Sequence, residues 1–160
     1  MDDAYGHWLA GLIDGEGSFV IAKGGRLNFC KPGFRLALRA DDGPLLEEVR
    51  GVTGIGTLHR VELANRPENA RPQIVWQVGS RADCAALVVI LDHYPLRSKK
   101  RRDYDVWRAA VSYWVRQPRR FDRSPIAEFK ALLEAGRAYD APAAIPLPES
   151  PQLALQPEES

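Results

Sequence analysis

A helix that carries glycine at two positions four residues apart is a costly helix. Trp8-Leu9-Ala10-Gly11-Leu12-Ile13-Asp14-Gly15-Glu16-Gly17-Ser18-Phe19 reads as one. Glycine inside a helix costs about 1 kcal/mol relative to alanine. Gly11 and Gly15 therefore mark a face that a second backbone must approach closely. The alternating run Ser18-Phe19-Val20-Ile21-Ala22-Lys23 follows at once, so the helix passes straight into a strand. Asp14 and Glu16 sit at that join. One segment thus supplies both an interface and a chemical group, and the rest of the chain has to be arranged around it.

With 160 residues the chain is long enough for one domain with its own core, expected over residues 1–140. Residues 141–160, rich in Pro, Ala, Glu and Ser, read as a flexible tail. The net charge is only +1, but residues after Asp140 hold no Lys or Arg, so the body is more basic than the total. Arginine outnumbers lysine more than threefold, and arginine is the better fork for phosphates and guanine edges. Cys30 and Cys84 make neither a metal pair nor a disulfide framework, which fits a reducing compartment. No secretory signal and no membrane-spanning apolar run is present, so a cytoplasmic protein is expected, in bacterial cytosol or nucleoid rather than an organelle. No membrane partner and no small-molecule substrate is expected.

Taken in order, Asp2 or Asp3 caps a first helix running to about Asp14, with Leu9, Leu12 and Ile13 on one stripe. A strand follows over residues 18–22. Residues 26–30 extend it or lead to a turn before Pro32-Gly33. Phe34, Leu36 and Leu38 then alternate with Arg35, Ala37 and Arg39. Asp41-Asp42-Gly43-Pro44 starts a helix with an acidic cap, stopped at Thr53-Gly54. Strands are expected over residues 56–62 and 73–79, with a polar loop over 63–72. Ser80-Arg81-Ala82-Asp83 opens a third helix, Ser98 caps a fourth, and Ser124-Pro125 opens a last one. Short connections favour antiparallel hairpins, giving an α+β fold with a four-stranded sheet and helices on one face.

The other sheet face would carry Arg35, Arg39, His59, Gln73 and Gln77. A solvated sheet face usually mixes Lys, Glu and Thr. Here long hydrogen-bonding side chains run almost without acids, and Arg suits guanine while Gln suits adenine in the major groove. Arg97-Ser98-Lys99-Lys100-Arg101-Arg102 is the densest basic run. A helix N-terminus already favours anions, so cations gathered there make sense beside phosphate. Asp14 reads as a carboxylate bonded to nearby backbone. Glu16, between two glycines, is the better candidate for holding a hard divalent cation, a job one carboxylate does poorly alone. His7, His59 and His93 have no ligand spacing.

Leu9-Ala10-Gly11-Leu12-Ile13-Asp14-Gly15-Glu16-Gly17 resembles the signature of the LAGLIDADG homing endonucleases, matching seven of its nine residues. Gly54-Ile55-Gly56-Thr57 resembles the family's turn into its third strand. Tyr94-Pro95-Leu96-Arg97-Ser98-Lys99-Lys100 resembles its lysine-bearing segment. The resemblance implies an αββαββα core whose saddle-shaped antiparallel sheet sits on double-stranded DNA, with extra C-terminal helices. It implies a homodimer packed through the motif helix, here Gly11, Gly15, Trp8 and Leu12. It assigns Mg²⁺, with Mn²⁺ or Ca²⁺ as substitutes, to Glu16 and the Gly15 carbonyl. Lys99, preferred over Lys100, would balance charge. The expected DNA contacts are Arg26, Asn28, Arg35, Ala37, Arg39, Thr57, His59, Gln73, Val75 and Gln77, then Lys99, Lys100 and Arg101.

On this reading the chain is an intron-encoded, metal-dependent DNA endonuclease cutting a long pseudo-palindromic site. The alternative is a non-catalytic relative, a transcription regulator or an intron maturase. Two departures stand out. Ala40 or Asp41 falls where the family often has a polar residue, leaving that place to Arg39 or water. Glu at position 16, in place of Asp, adds a methylene and shifts geometry and metal preference.

Overall fold

An acidic cap starts the first helix. In the computed structural model, which describes residues 1–24, 29–62, 71–118 and 120–138, α1 spans Asp3–Glu16. The Asp2 carboxylate accepts from the Tyr5 N–H at 2.8 Å. Leu9, Ala10 and Ile13 face inward. The helix runs past the expected stop at Asp14, because the Gly17 N–H still closes on the Ile13 carbonyl. β1 (Gly17–Gly24) begins on the next residue.

β2 (Phe29–Arg39) pairs antiparallel with β1 from Gly17↔Leu36 to Gly24↔Phe29. The expected turn before Pro32-Gly33 is not there; the strand passes through both residues. Proline removes a ladder donor, which a central strand normally cannot spare. Here β4 (Gln73–Val78) pairs with β2 only from Phe34 to Arg39, so Pro32 lies beyond the end of that ladder.

A 3₁₀ turn (Ala40–Asp42) leads into α2 (Gly43–Thr53). The expected acidic cap does not form. Asp42 makes no capping bond, and Asp41 instead takes the Arg39 guanidinium at 2.5 Å. Gly54 ends α2 at φ 69° and Gly56 turns the chain at φ 78°. A Cβ on Gly56 would stand 2.5 Å from the indole nitrogen of Trp76, which donates to the Ile55 carbonyl at 2.9 Å. β3 (Thr57–Val61) follows.

α3 (Arg81–His93) is capped as expected, the Ser80 hydroxyl accepting from the Asp83 N–H at 3.0 Å. α4 (Lys100–Arg116) begins two residues after Ser98, whose hydroxyl accepts from the Lys100 N–H at 3.1 Å. α5 (Ser124–Ala135) closes the described order.

The four strands form one open antiparallel sheet in the order β1-β2-β4-β3. The fold is α+β, with the expected αββαββα order followed by α4 and α5. Phe19, Ile21, Phe34, Leu36, Trp76 and Val78 point to one side and are buried. The helices cover that side: α1, α3, α4 and α5 lie against β1 or β2, and α2 against β3 and β4. Phe19 anchors the layer, its ring 5.2 Å from Phe34, 5.5 Å from Tyr104 and 5.2 Å from Trp107. Cys84 is core, and burial pushes its thiol up to about 12. No described helix is long and apolar enough to cross a membrane. Residues 25–28, most of the expected 63–72 loop and the expected tail lie outside the described residues.

Candidate functional site

Antiparallel register decides which side chains share the uncovered face. On β2 they are Arg35, Ala37 and Arg39; opposite them on β4 stand Gln77, Val75 and Gln73. Thr57, His59 and Val61 of β3 pair with the same three β4 residues. β1 adds Ser18, opposite Arg35. The structure thus gathers eight of the expected contacts, Arg35, Ala37, Arg39, Thr57, His59, Gln73, Val75 and Gln77, onto one face. Thr57 Oγ1 and His59 Nε2 lie 2.9 Å apart. Arg26 and Asn28 lie outside the described residues. Ser18, Val20, Lys31 and Val61 join this face without having been singled out. Only the pairing register could have found them, because each strand by itself leaves its partner residues undefined.

α1 meets this face at its C-terminal end. Glu16 lines the same concavity as Ser18, Arg35, Ala37 and Gln73. Its carboxylate is exposed and makes no hydrogen bond among the described residues. Asp14, two residues earlier, is fully engaged. Its Oδ2 accepts from the Arg97 and Ser98 N–H groups, both at 2.9 Å, and its Oδ1 accepts from the Ser98 hydroxyl at 2.6 Å. Partial burial pushes the Asp14 carboxyl up. The Ser98 hydroxyl, the two N–H groups and Lys100 together outweigh it and hold the carboxyl below its ordinary value. The sequence suggests a bond to nearby backbone for Asp14; the actual partners are more than eighty residues away. Periodicity carries no signal for such a contact.

The two candidate lysines separate. Lys99 is exposed at the N-cap position of α4. Lys100 turns back to α1, its ammonium donating to the Ile13 carbonyl at 3.2 Å and the Gly15 carbonyl at 3.0 Å. Burial lowers its pKa, against the opposing pull of Asp14, Glu16 and Asp103. Of the two, Lys100 is the one whose ammonium bonds the end of α1. Arg101 pairs within its own helix with Asp105 at 2.9 Å and lies over the Tyr104 ring at 5.5 Å.

A hard cation takes oxygen donors. The Glu16 carboxylate and the Gly15 carbonyl are both oxygens, placed at the negative end of a helix. A carbonyl has two lone pairs, so Gly15 can keep Lys100 and still offer one. Among the described residues no group of three or more His, Cys, Asp or Glu side chains could hold a metal ion. One chain therefore fits a divalent cation as a partial site that phosphate and water oxygens would complete.

Among the described residues, a Cβ built on Gly11 or Gly15, on the outer side of α1, meets nothing within 4 Å. Trp8, 40% exposed, and the half-buried Leu12 lie in the same helix.

A family model described as LAGLIDADG endonuclease matches residues 9–111. Among solved structures, the LAGLIDADG meganuclease I-AabMI bound to uncleaved DNA is similar at 24% identity and a TM-score of 0.64. That match covers 81% of this chain and 43% of that one. I-SmaMI bound to an uncleaved DNA target in the presence of calcium ions matches at 18% identity and a TM-score of 0.60, again over 81% and 43%. The homing endonuclease I-TnaI matches at 16% and 0.58, over 80% of this chain and 97% of that one. At these identities the likeness is one of fold. The chain spans less than half the length of the first two. No curated protein sequence matches it.

Proposed function

The chain belongs to the LAGLIDADG endonuclease family, and from that premise we propose a site-specific endonuclease of double-stranded DNA, working as a homodimer with a divalent cation, Mg²⁺ by preference. The observation that carries this reading is the join between α1 and the open sheet. There Glu16, whose carboxylate makes no hydrogen bond among the described residues, opens onto the face that presents Arg35, Gln73 and Gln77.

The open face supplies arginine and amide side chains suited to base edges, and its Ala37 and Val75 suit a thymine methyl. A duplex seated there brings phosphates toward the end of α1. Glu16 and the Gly15 carbonyl would hold the cation. When bound, it polarises the scissile phosphate and lowers the pKa of a water. Lys100, pinned to the Ile13 and Gly15 carbonyls, puts a fixed positive charge beside the reacting phosphate, where charge builds up in the transition state. Asp14 holds residues 97 and 98, and so sets where that lysine begins.

The open glycine face of α1 supports pairing of two copies, with Trp8 and Leu12 flanking the contact. Two copies bring two Glu16 carboxylates together, one for each strand of the duplex. The length of the DNA-bound structures, more than twice what this chain covers, fits a working unit of two such folds.

The test is selection of bound duplexes from a randomised DNA pool, followed by cleavage with and without Mg²⁺. The parent is expected to cut both strands of the enriched site. Glu16→Gln is expected to bind it and leave it intact, a loss of at least about a hundredfold in rate, because the cation it would hold supplies the charge stabilisation of the transition state. Binding by both proteins with cutting by neither would remove the nuclease and leave a DNA-binding relative.

A further inference from the structure

The open face is not polar throughout. Val75 is 2% exposed, yet it does not belong to the contiguous core on the covered side. By register it lies between Ala37 of β2 and His59 of β3. Together with Val20, Ala37 and Val61, each half-buried, it floors a concavity. Arg35 and Gln73 stand on the rim, and Glu16 forms one wall.

Water gains no hydrogen bond from such a floor, and displacing it with an apolar group is favourable. The rim narrows the choice of occupant. A guanidinium and an amide are donors suited to base edges and phosphates. In the major groove the apolar group a duplex presents is the 5-methyl of thymine. Resting on the DNA-binding reading above, we propose that this concavity takes a thymine methyl in each half-site. The protein therefore selects a T·A pair next to the cleavage position. The contact is shape and apolar area, with Val75 at the centre of the floor and Ala37 and Val61 beside it. The neighbouring Arg35 and Gln73 fix the register of the duplex around it. Because Glu16 shares the concavity, the selected thymine lies near the phosphate that the metal site serves.

Deoxyuridine differs from thymidine by that methyl alone and keeps every hydrogen bond. A duplex enriched by the parent protein from a randomised pool is resynthesised with each thymine in turn replaced by deoxyuridine, and the Kd of each is measured. One position in each half-site is expected to bind about fourfold more weakly, the worth of one buried methyl at about 0.8 kcal/mol. In Ala37→Ser and Val61→Thr that penalty is expected to shrink toward onefold. A parent whose Kd changes by less than about twofold at every thymine overturns the inference while leaving DNA binding intact. A penalty that persists at full size in both variants overturns it as well. A pool from which nothing is enriched takes down the DNA-binding reading itself, and this inference with it.

Discussion

The two sides of α1 use small residues for opposite reasons. On the inner side, a Cβ added to Gly6 would lie 2.2 Å from the Tyr94 ring. One added to Gly17, just past the helix end, would lie 2.7 Å from the Ile13 carbonyl. These glycines are required by the chain's own packing. On the outer side, Gly11 and Gly15 have open space. Among the described residues of one copy, nothing needs them. The acids repeat the contrast: Asp14 is spent on three internal hydrogen bonds, whereas Glu16 is left to the surface. What the fold consumes and what it leaves over are thus two residues apart in sequence, and the leftover set is the functional candidate.

That contrast can be broken by substitution. The largest effect on stability is expected from Gly6→Val, which drives the Tyr94 ring from its seat and its hydroxyl from the Asp3 carboxylate. Overpacking of this kind costs roughly 1–3 kcal/mol, read from the urea midpoint. Asp14→Ala comes next. It strips the acceptor from the Arg97 and Ser98 N–H groups, a loss like that of a helix cap, about 0.5–2 kcal/mol. Glu16→Ala in the same assay should stay within about 0.5 kcal/mol of the parent. Equal losses for the two acids would erase the distinction. The smallest effect has the opposite sign. Gly11→Ala should stabilise the dilute chain by up to about 1 kcal/mol through helix propensity, yet weaken self-association in sedimentation. A variant that is both stabler and still dimeric would remove Gly11 from the contact.

The periodic features were legible in the sequence. Helix starts at Asp2 and Ser80, and the alternation of Phe34, Leu36 and Leu38, are local signals, so the element order and the fold class follow from them. Non-local terms were not legible. Pro32 reads as a break, and nothing local reveals that the neighbouring strand ends before reaching it. Lys99 and Lys100 are adjacent and chemically alike. Their difference arises from where α4 begins, which Ser98 and Asp14 set from separate parts of the chain. The polar face was correctly assigned strand by strand. Its apolar floor was not, because Val20, Ala37, Val61 and Val75 come from four strands and meet only through the sheet.

The uneven lengths of β2 and β4 have one more consequence. Where β4 stops, a flank of β2 has no neighbouring strand among the described residues, and strand flanks left unpaired recruit foreign strands and seed aggregates. Pro32 brings no N–H to such an encounter, and the Lys31 ammonium, bonded to the Gly79 carbonyl at 3.1 Å, sets a charge across it. The flank is a poor template. If two copies pair through α1 as proposed, they are thereby spared a rival way of sticking together.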